Sequence, residues 1–384
     1  MPRSHRASAV LFCTATFFFW ASLYLYVPVL PVHARSMGGS LVAAGVVVSS
    51  YAVPQALVRV PLGLWFDRLA RKKTLIIGGV LAAGIGALGL ALSPDALWLS
   101  VARAVTGVGA ATWVAFTVYF ASYYAPERAP HAIGTINAVN AGALLVATAC
   151  GGVLADRLGH TAAFMGAAGL AIAGLVCVVL GREVQVGRQP QQRREGLARV
   201  AGRRSLVVAS LLGLLLQFVN HAGIFGFVPI YAESIGASAT DLGLITMLAL
   251  ASSAVASLFA PRLVDREGLR KTVVCGAALL AVALASVPLV SSLEVLGLVQ
   301  MVNGSGRGVL MATTMALSLR DVEHGRRATA MGLYQATYAI GMFSGPLASG
   351  FLAESLGLTA LFRGLASIGA LIAVLGVILL PHRR

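Results

Sequence analysis

Charge is scarce in these 384 residues, and negative charge most of all: Asp and Glu number 14 against 29 Lys and Arg, and together they make 11% of the chain. An ordinary soluble domain carries roughly 25% charged residues to dress its surface, so a water-soluble globule is excluded and the solvent must be lipid. Long polar stretches are almost as rare. Apolar runs of about 20 residues, the length that crosses a bilayer, recur along a chain that is 58% hydrophobic, and no soluble domain is left over. Cysteine is equally sparse. Cys13, Cys150, Cys177 and Cys275 all fall inside apolar runs, without the pairwise spacing of a metal site or a secreted disulfide framework, and read as packing residues. The sequence shows no metal-ligand cluster, nucleophile elbow or phosphate-cradling glycine loop in a wet segment, which argues against an enzyme. It also shows no nucleotide-binding domain, so direct ATP drive would need another chain. What is plentiful is glycine, 43 residues, beside 14 prolines. Both suit helices that pack closely and bend within a bilayer.

The net charge of +15 is explained by where the cations sit. Most lie in alternate short connections, such as Arg71, Lys72 and Lys73, the Arg-rich stretch 182–204, and Arg262, Arg266, Arg270 and Lys271. Arg35, Arg157 and Arg363 fall near the opposite ends. The positive-inside rule then places both termini and the long central connection in the cytoplasm. The charge is therefore a topology signal of a multi-pass protein of the cell (inner or plasma) membrane, not a nucleic-acid footprint.

Apolar runs bounded by turn and charge clusters predict helices near 8–33, 40–66, 74–93, 96–121, 129–154 and 160–181. A second set lies near 205–232, 238–262, 272–291, 294–319, 327–353 and 358–380. The first run follows Arg3 and Arg6 but is too long for a signal peptide and lacks a small-residue cleavage site, so it reads as the first membrane helix. Trp65 and Trp98 fall at predicted helix ends, as aromatic belts require. The expected architecture is all-α, with twelve transmembrane helices in two pseudo-symmetric six-helix bundles, 1–181 and 205–384, joined by a cytoplasmic linker at 182–204.

The halves repeat. Pro31, Ala34, Ser36, Gly38 and Ser40 recur 198 residues later as Pro229, Ala232, Ser234, Gly236 and Ser238. The same offset carries Asp67, Arg68, Lys73 and Gly78 onto Asp265, Arg266, Lys271 and Gly276, and Leu158, Gly159 and Phe164 onto Leu356, Gly357 and Phe362. Six crossings return each copy to the same side, so these are parallel repeats about an axis along the membrane normal. Such a pair is expected to enclose a central cavity and to rock around it.

At the end of the second run stand Gly63, Asp67, Arg68, Ala70, Arg71 and Lys72. Gly63 lets helices pass closely, and Asp67 with its basic neighbours is suited to a charge network that locks one gate. This resembles motif A of the major facilitator superfamily, with Ala70 in place of the family's usual glycine. The second half repeats it with Asp265, Arg266, Gly268 and Arg270, although Pro261 stands at the Gly63 position. Pro28, Val29, Leu30 and Pro31 look like the P-v-x-P element of twelve-helix exporters in that superfamily; a plain kink is the competing reading. Arg103 with Gly107 and Gly109 resembles motif B, and Gly304, Gly306, Arg307 and Gly308 form a partial echo whose register is open by one residue. Gly341, Gly345, Pro346 and Gly350 resemble the antiporter motif C, which the family usually carries on the fifth helix. Here the fifth helix has Ala143, Ala147, Thr148 and Gly152, and both stretches offer small faces for packing at the half-to-half interface.

All 14 carboxylates can be placed near helix ends, and none occupies a predicted midplane. An intramembrane arginine is costly unless it faces a cavity or a partner, which makes Arg103 and Arg307 site candidates. Arg59 lies near enough to the cytoplasmic face to join the gate or to snorkel there. The midspan titratable candidate for proton coupling is His221, beside Asn220, with a hydrogen-bonded structural role as its alternative; Asp67 is the other. Tyr24, Gln55, Trp113, Asn137, Tyr334 and Tyr338 complete the candidate cavity lining, amphipathic with a positive bias. The resemblance implies a secondary active transporter without a cofactor, driven by the proton gradient and exporting small amphipathic compounds as a monomer in the bilayer. A carrier of organic anions, siderophores or lipids, or a membrane sensor that binds without transporting, is the alternative.

Overall fold

A computed structural model of the chain describes residues 3–58, 73–125, 128–181, 200–323 and 326–381. Every regular element among them is helical. In chain order these are α1 (Arg3–Tyr24), α2 (Leu30–Ser36), α3 (Leu41–Ser50), α4 (Lys73–Leu92), α5 (Ala96–Ala111), α6 (Trp113–Ala121), α7 (Ala129–Leu158) and α8 (His160–Leu180). Then follow α9 (Arg204–Ala222), a π-helical turn (Gly223–Phe227), α10 (Val228–Ser234), α11 (Ala239–Glu267), α12 (Leu269–Ser286), α13 (Leu293–Leu319) and α14 (Arg327–Leu379).

Ten helical stretches among the described residues are long and apolar enough to cross a membrane. The remaining two crossings are visible for physical reasons. α13 is 27 residues long but is diluted by Gln300, Asn303 and Arg307. α14, 53 residues, is two helices joined at Gly357, whose φ of 83° breaks the helical path. Gly159, 198 residues earlier, makes the same break between α7 and α8 with φ 87°. Positive φ costs a side-chain-bearing residue about 1–2 kcal/mol, which is why glycine serves at both turns.

The repeat extends to where helices break. Residues 25–29 leave the α-helix between α1 and α2, and 223–227 do so between α9 and α10, again 198 apart. Pro31 and Pro229 supply no N–H to the preceding turn, so that turn has to rearrange. In the later copy Val228 N–H reaches back five residues to Gly223 O, a π-bulge of the kind frequent at functional sites.

The chain forms two compact units, one of 1–38 with 50–190 and one of 39–49 with 191–384. Segment 39–49 thus packs with the later helices: Leu41 N–H donates to Glu354 Oε2 at 2.6 Å, and Gly45 lies against the Pro346 carbonyl. Gly341 and Gly345 do not serve a half-to-half interface as expected. Their backbones lie against the carbonyls of Leu214 and Phe218 on α9, because a small face on α14 lets the first helix of its own unit approach to backbone contact.

Candidate functional site

In the first unit the polar centre is Arg103. It is buried at 6% exposure on α5, its Nη1 donating to Tyr26 Oη at 2.8 Å and to Thr106 Oγ1 at 3.3 Å. Its guanidinium stacks over the Tyr51 ring, 4.1 Å from the centroid, with Tyr26 at 5.3 Å. Among the described residues no carboxylate forms an ion pair with it, and its Nε–H has no protein acceptor. The positive charge is thus held by two aromatic faces and a phenol, an arrangement that stabilises a cation without neutralising it. Glycines make this possible: a Cβ on Gly107 would run into the Tyr51 carbonyl, and one on Gly109 would come within 2.8 Å of Gly79 O.

An aromatic wall continues from this site. Trp113 opens α6 after a break at Thr112, whose N–H and Oγ1 both donate to Gly109 O. Its indole meets Trp20 edge-on at 5.2 Å, and Trp20 in turn meets Tyr24 at 6.0 Å. The sequence singled out Trp113 and Tyr24 but not Trp20, which lies between them, nor Tyr26 and Tyr51 as partners of Arg103. Trp20 stands in a run of Phe residues that reads as core; only the Trp113 contact marks it. Gln55 is buried and Asn137 exposed. Arg59, Gly63, Asp67, Arg68, Arg71 and Lys72 lie outside the described residues.

In the second unit the candidates fall into three groups. His221 and Arg307 border one ring: Phe225, in the π-turn, lies 5.3 Å from the His221 ring and 5.9 Å from the Arg307 guanidinium. His221 Nδ1 sits 3.2 Å from Gln217 O, Asn220 Nδ2 donates to Gln217 Oε1 at 3.1 Å, and Arg307 Nη1 approaches Ser253 Oγ at 3.4 Å. Tyr334, fully buried, bonds Thr314 Oγ1 at 2.9 Å and meets Tyr338 edge-on. On α13, Asn303 Nδ2 donates to Gln300 Oε1 at 2.9 Å, leaving Gln300 Nε2 and Asn303 Oδ1 buried without protein partners.

This last pair fixes the open register of the motif B echo. Gly306 faces Gly276 as Gly109 faces Gly79, and Gly304 faces the Ala249 carbonyl as Gly107 faces that of Tyr51. The offset in α13 is therefore 197, and the counterpart of Arg103 is Gln300, not Arg307. Asn303 likewise stands where Thr106 does. One unit places a buried cation at this position and the other an amide.

The second motif A copy is divided between two grooves. Asp265 lines one of about 620 Å³ with Arg320 and Pro261. Arg266 and Arg270 line another, also about 620 Å³.

The family model of the Major Facilitator Superfamily matches residues 12–233 and 210–384. An uncharacterised transporter of that type from Methanocaldococcus jannaschii is 21% identical over 363 residues, 91% of this chain and 92% of its own. A Lactococcus lactis protein named as a homologue of the multi-drug resistance efflux pump PmrA is 24% identical over 352 residues, 88% and 86% of the two chains. The crystal structure of the nucleoside transporter NupG, 15% identical, covers 99% of this chain and 100% of its own with a TM-score of 0.82, a likeness of fold alone.

Proposed function

The chain belongs to the Major Facilitator Superfamily, and from that premise we propose that it is a secondary active transporter working by alternating access and coupling the export of small amphipathic compounds to the proton gradient. It is a multi-pass membrane transporter, not an enzyme, and it handles a small molecule within a lipid bilayer. The observation that carries the finer reading is the Arg103 site. A buried guanidinium held by Tyr26 and Tyr51, in the same unit as the Trp113–Trp20–Tyr24 wall, offers broad aromatic surface together with a fixed positive charge. Such a lining suits ligands with an apolar body and an anionic or lone-pair-rich end. The likeness to a protein named for multidrug efflux supports export.

The same observation favours a second reading, a carrier of organic anions, siderophores or lipids, because Arg103 has no ion pair among the described residues. His221 is the coupling group in this proposal and Asp67 the gate residue. The monomer is the working unit, with both termini in the cytoplasm as the arginine distribution requires.

The test is purified protein in proteoliposomes under an imposed pH gradient, with lumenal pH followed while lipophilic cations, neutral drugs and organic anions are added. Substrate-dependent proton release that disappears in His221→Ala or Asp67→Asn supports coupled export. Binding or counterflow with no proton movement removes proton coupling, and binding with no counterflow makes the chain a sensor.

A further inference from the structure

The groove beneath the second motif A copy has a composition that transport does not use. Its rim is the α11–α12 junction, where Arg266, Arg270 and Lys271 stand with one carboxylate, Glu267. Its wall is aliphatic, with Leu263 and Val377, 39% and 42% exposed, and Leu279, 42% exposed. Lys271 and Leu279 are eight residues apart on α12, so the groove runs about 12 Å from the helix end toward the middle of the span. One end lies at headgroup level and the other among acyl chains.

The repeat shows that this opening belongs to the second half. At the equivalent place in the first half, Lys73 Nζ reaches across to the end of α8 and donates to the carbonyls of Val179, at 2.9 Å, and Gly181. Lys271 is its counterpart and Val377 that of Val179. Lys271 instead faces Glu267 at 3.6 Å with 68% of its side chain exposed, and Val377 lines an open slot. An exposed ion pair at that distance contributes about 0–1 kcal/mol and leaves two guanidinium groups to set the sign of the rim.

We propose that this groove binds an anionic phospholipid, its phosphate against Arg266, Arg270 and Lys271 and an acyl chain along Leu279 and Val377. Arginine forks match phosphate oxygens bidentately, and basic pockets between helices at a membrane surface select anionic headgroups. A free phosphate would use the rim but not the wall, and a zwitterionic lipid the wall but not the rim.

The proposal goes beyond transport and is tested without it, by native mass spectrometry of the full chain in detergent with phosphatidylglycerol or phosphatidylcholine of equal chain length. Each cation near a membrane surface contributes about fivefold to anionic lipid affinity, so Arg270→Gln with Lys271→Gln is expected to lower phosphatidylglycerol retention by about twentyfold or more and leave phosphatidylcholine unchanged. Arg262→Gln, on α11 outside the groove and beside Phe259, is expected to change neither. Leu279→Trp, which fills the slot, is expected to lower retention while sparing any binding of inorganic phosphate. Equal losses in Arg262→Gln and the double variant would overturn the site in favour of diffuse attraction. Retention unaffected by Leu279→Trp but displaced by inorganic phosphate would overturn the lipid in favour of a phosphate site. Unchanged melting temperatures keep either result from being read as misfolding.

Discussion

Arg103 Nη1 donates to Tyr26 Oη at 2.8 Å, across 77 residues of chain, and this bond ties α5 to the break that follows α1. The phenol holds a buried cation in place at the point where the first helix leaves its regular path.

Replacing Arg103 by Lys keeps the charge but loses the planar fork and its stacking on Tyr51. A hydrogen bond to a charged group is worth about 1.5–3 kcal/mol, so Arg103→Lys and Tyr26→Phe are each expected to weaken substrate counterflow by roughly 10- to 100-fold. Counterflow in proteoliposomes, with melting temperature alongside, checks this. Full activity in both variants would remove Arg103 from the site.

Gly107 is a packing position with no room for a methyl group, since a Cβ there collides with the Tyr51 carbonyl. Overpacking of this kind costs about 1–3 kcal/mol. Gly107→Ala is expected to lower the melting temperature, whereas Gly142→Ala, with nothing within 4 Å of the added carbon, is expected not to. A fluorescence melt of both variants decides it.

Gln300 and Asn303 satisfy each other only in part. Gln300→Leu strands the Asn303 amide and is expected to cost about 1–3 kcal/mol, while Gln300→Leu with Asn303→Leu is expected to be near neutral for stability. If the two unpartnered atoms serve substrate, the double variant folds normally and fails to transport. A double-mutant cycle in stability and counterflow separates the two roles.

His33 and His160 bring their Nδ1 atoms to 3.3 Å, so one ring must donate and the other accept. The folded pair accommodates at most one shared proton there, whereas the unfolded chain protonates both rings below about pH 6.5. The unfolded state then binds more protons, so stability is full above that pH and is lost as pH falls. Wild type is expected to lose more melting temperature between pH 7.5 and 5.5 than His160→Gln does; equal losses would sink the idea.

Much of this was legible without coordinates because lipid permits few structures. Scarce charge, evenly spaced apolar runs and one offset of 198 residues dictate a doubled six-helix membrane protein, since helices alone satisfy their own backbone within hydrocarbon. The same arithmetic placed Pro31 and Pro229 at matching breaks. Arg103 was identifiable because a guanidinium in an apolar span demands an explanation.

What tertiary structure decided is who stands beside whom. Tyr26 and Tyr51 become partners of Arg103, and Trp20 joins Trp113, only because α1, residues 50–58, α5 and α6 converge, and spacing along one helix says nothing about its neighbours. Gln300, not Arg307, proved to be the counterpart of Arg103 because the backbone contact of Gly306 with Gly276 fixes the register, which one inserted residue had hidden. Lys73 and Lys271 are the same residue in the repeat, yet one caps a helix and the other rims a groove. The sequence determined the crossings, their repeat and the cost of each buried charge; packing alone determined which of those charges meet a partner, because contact energies depend on distances that a linear chain does not contain.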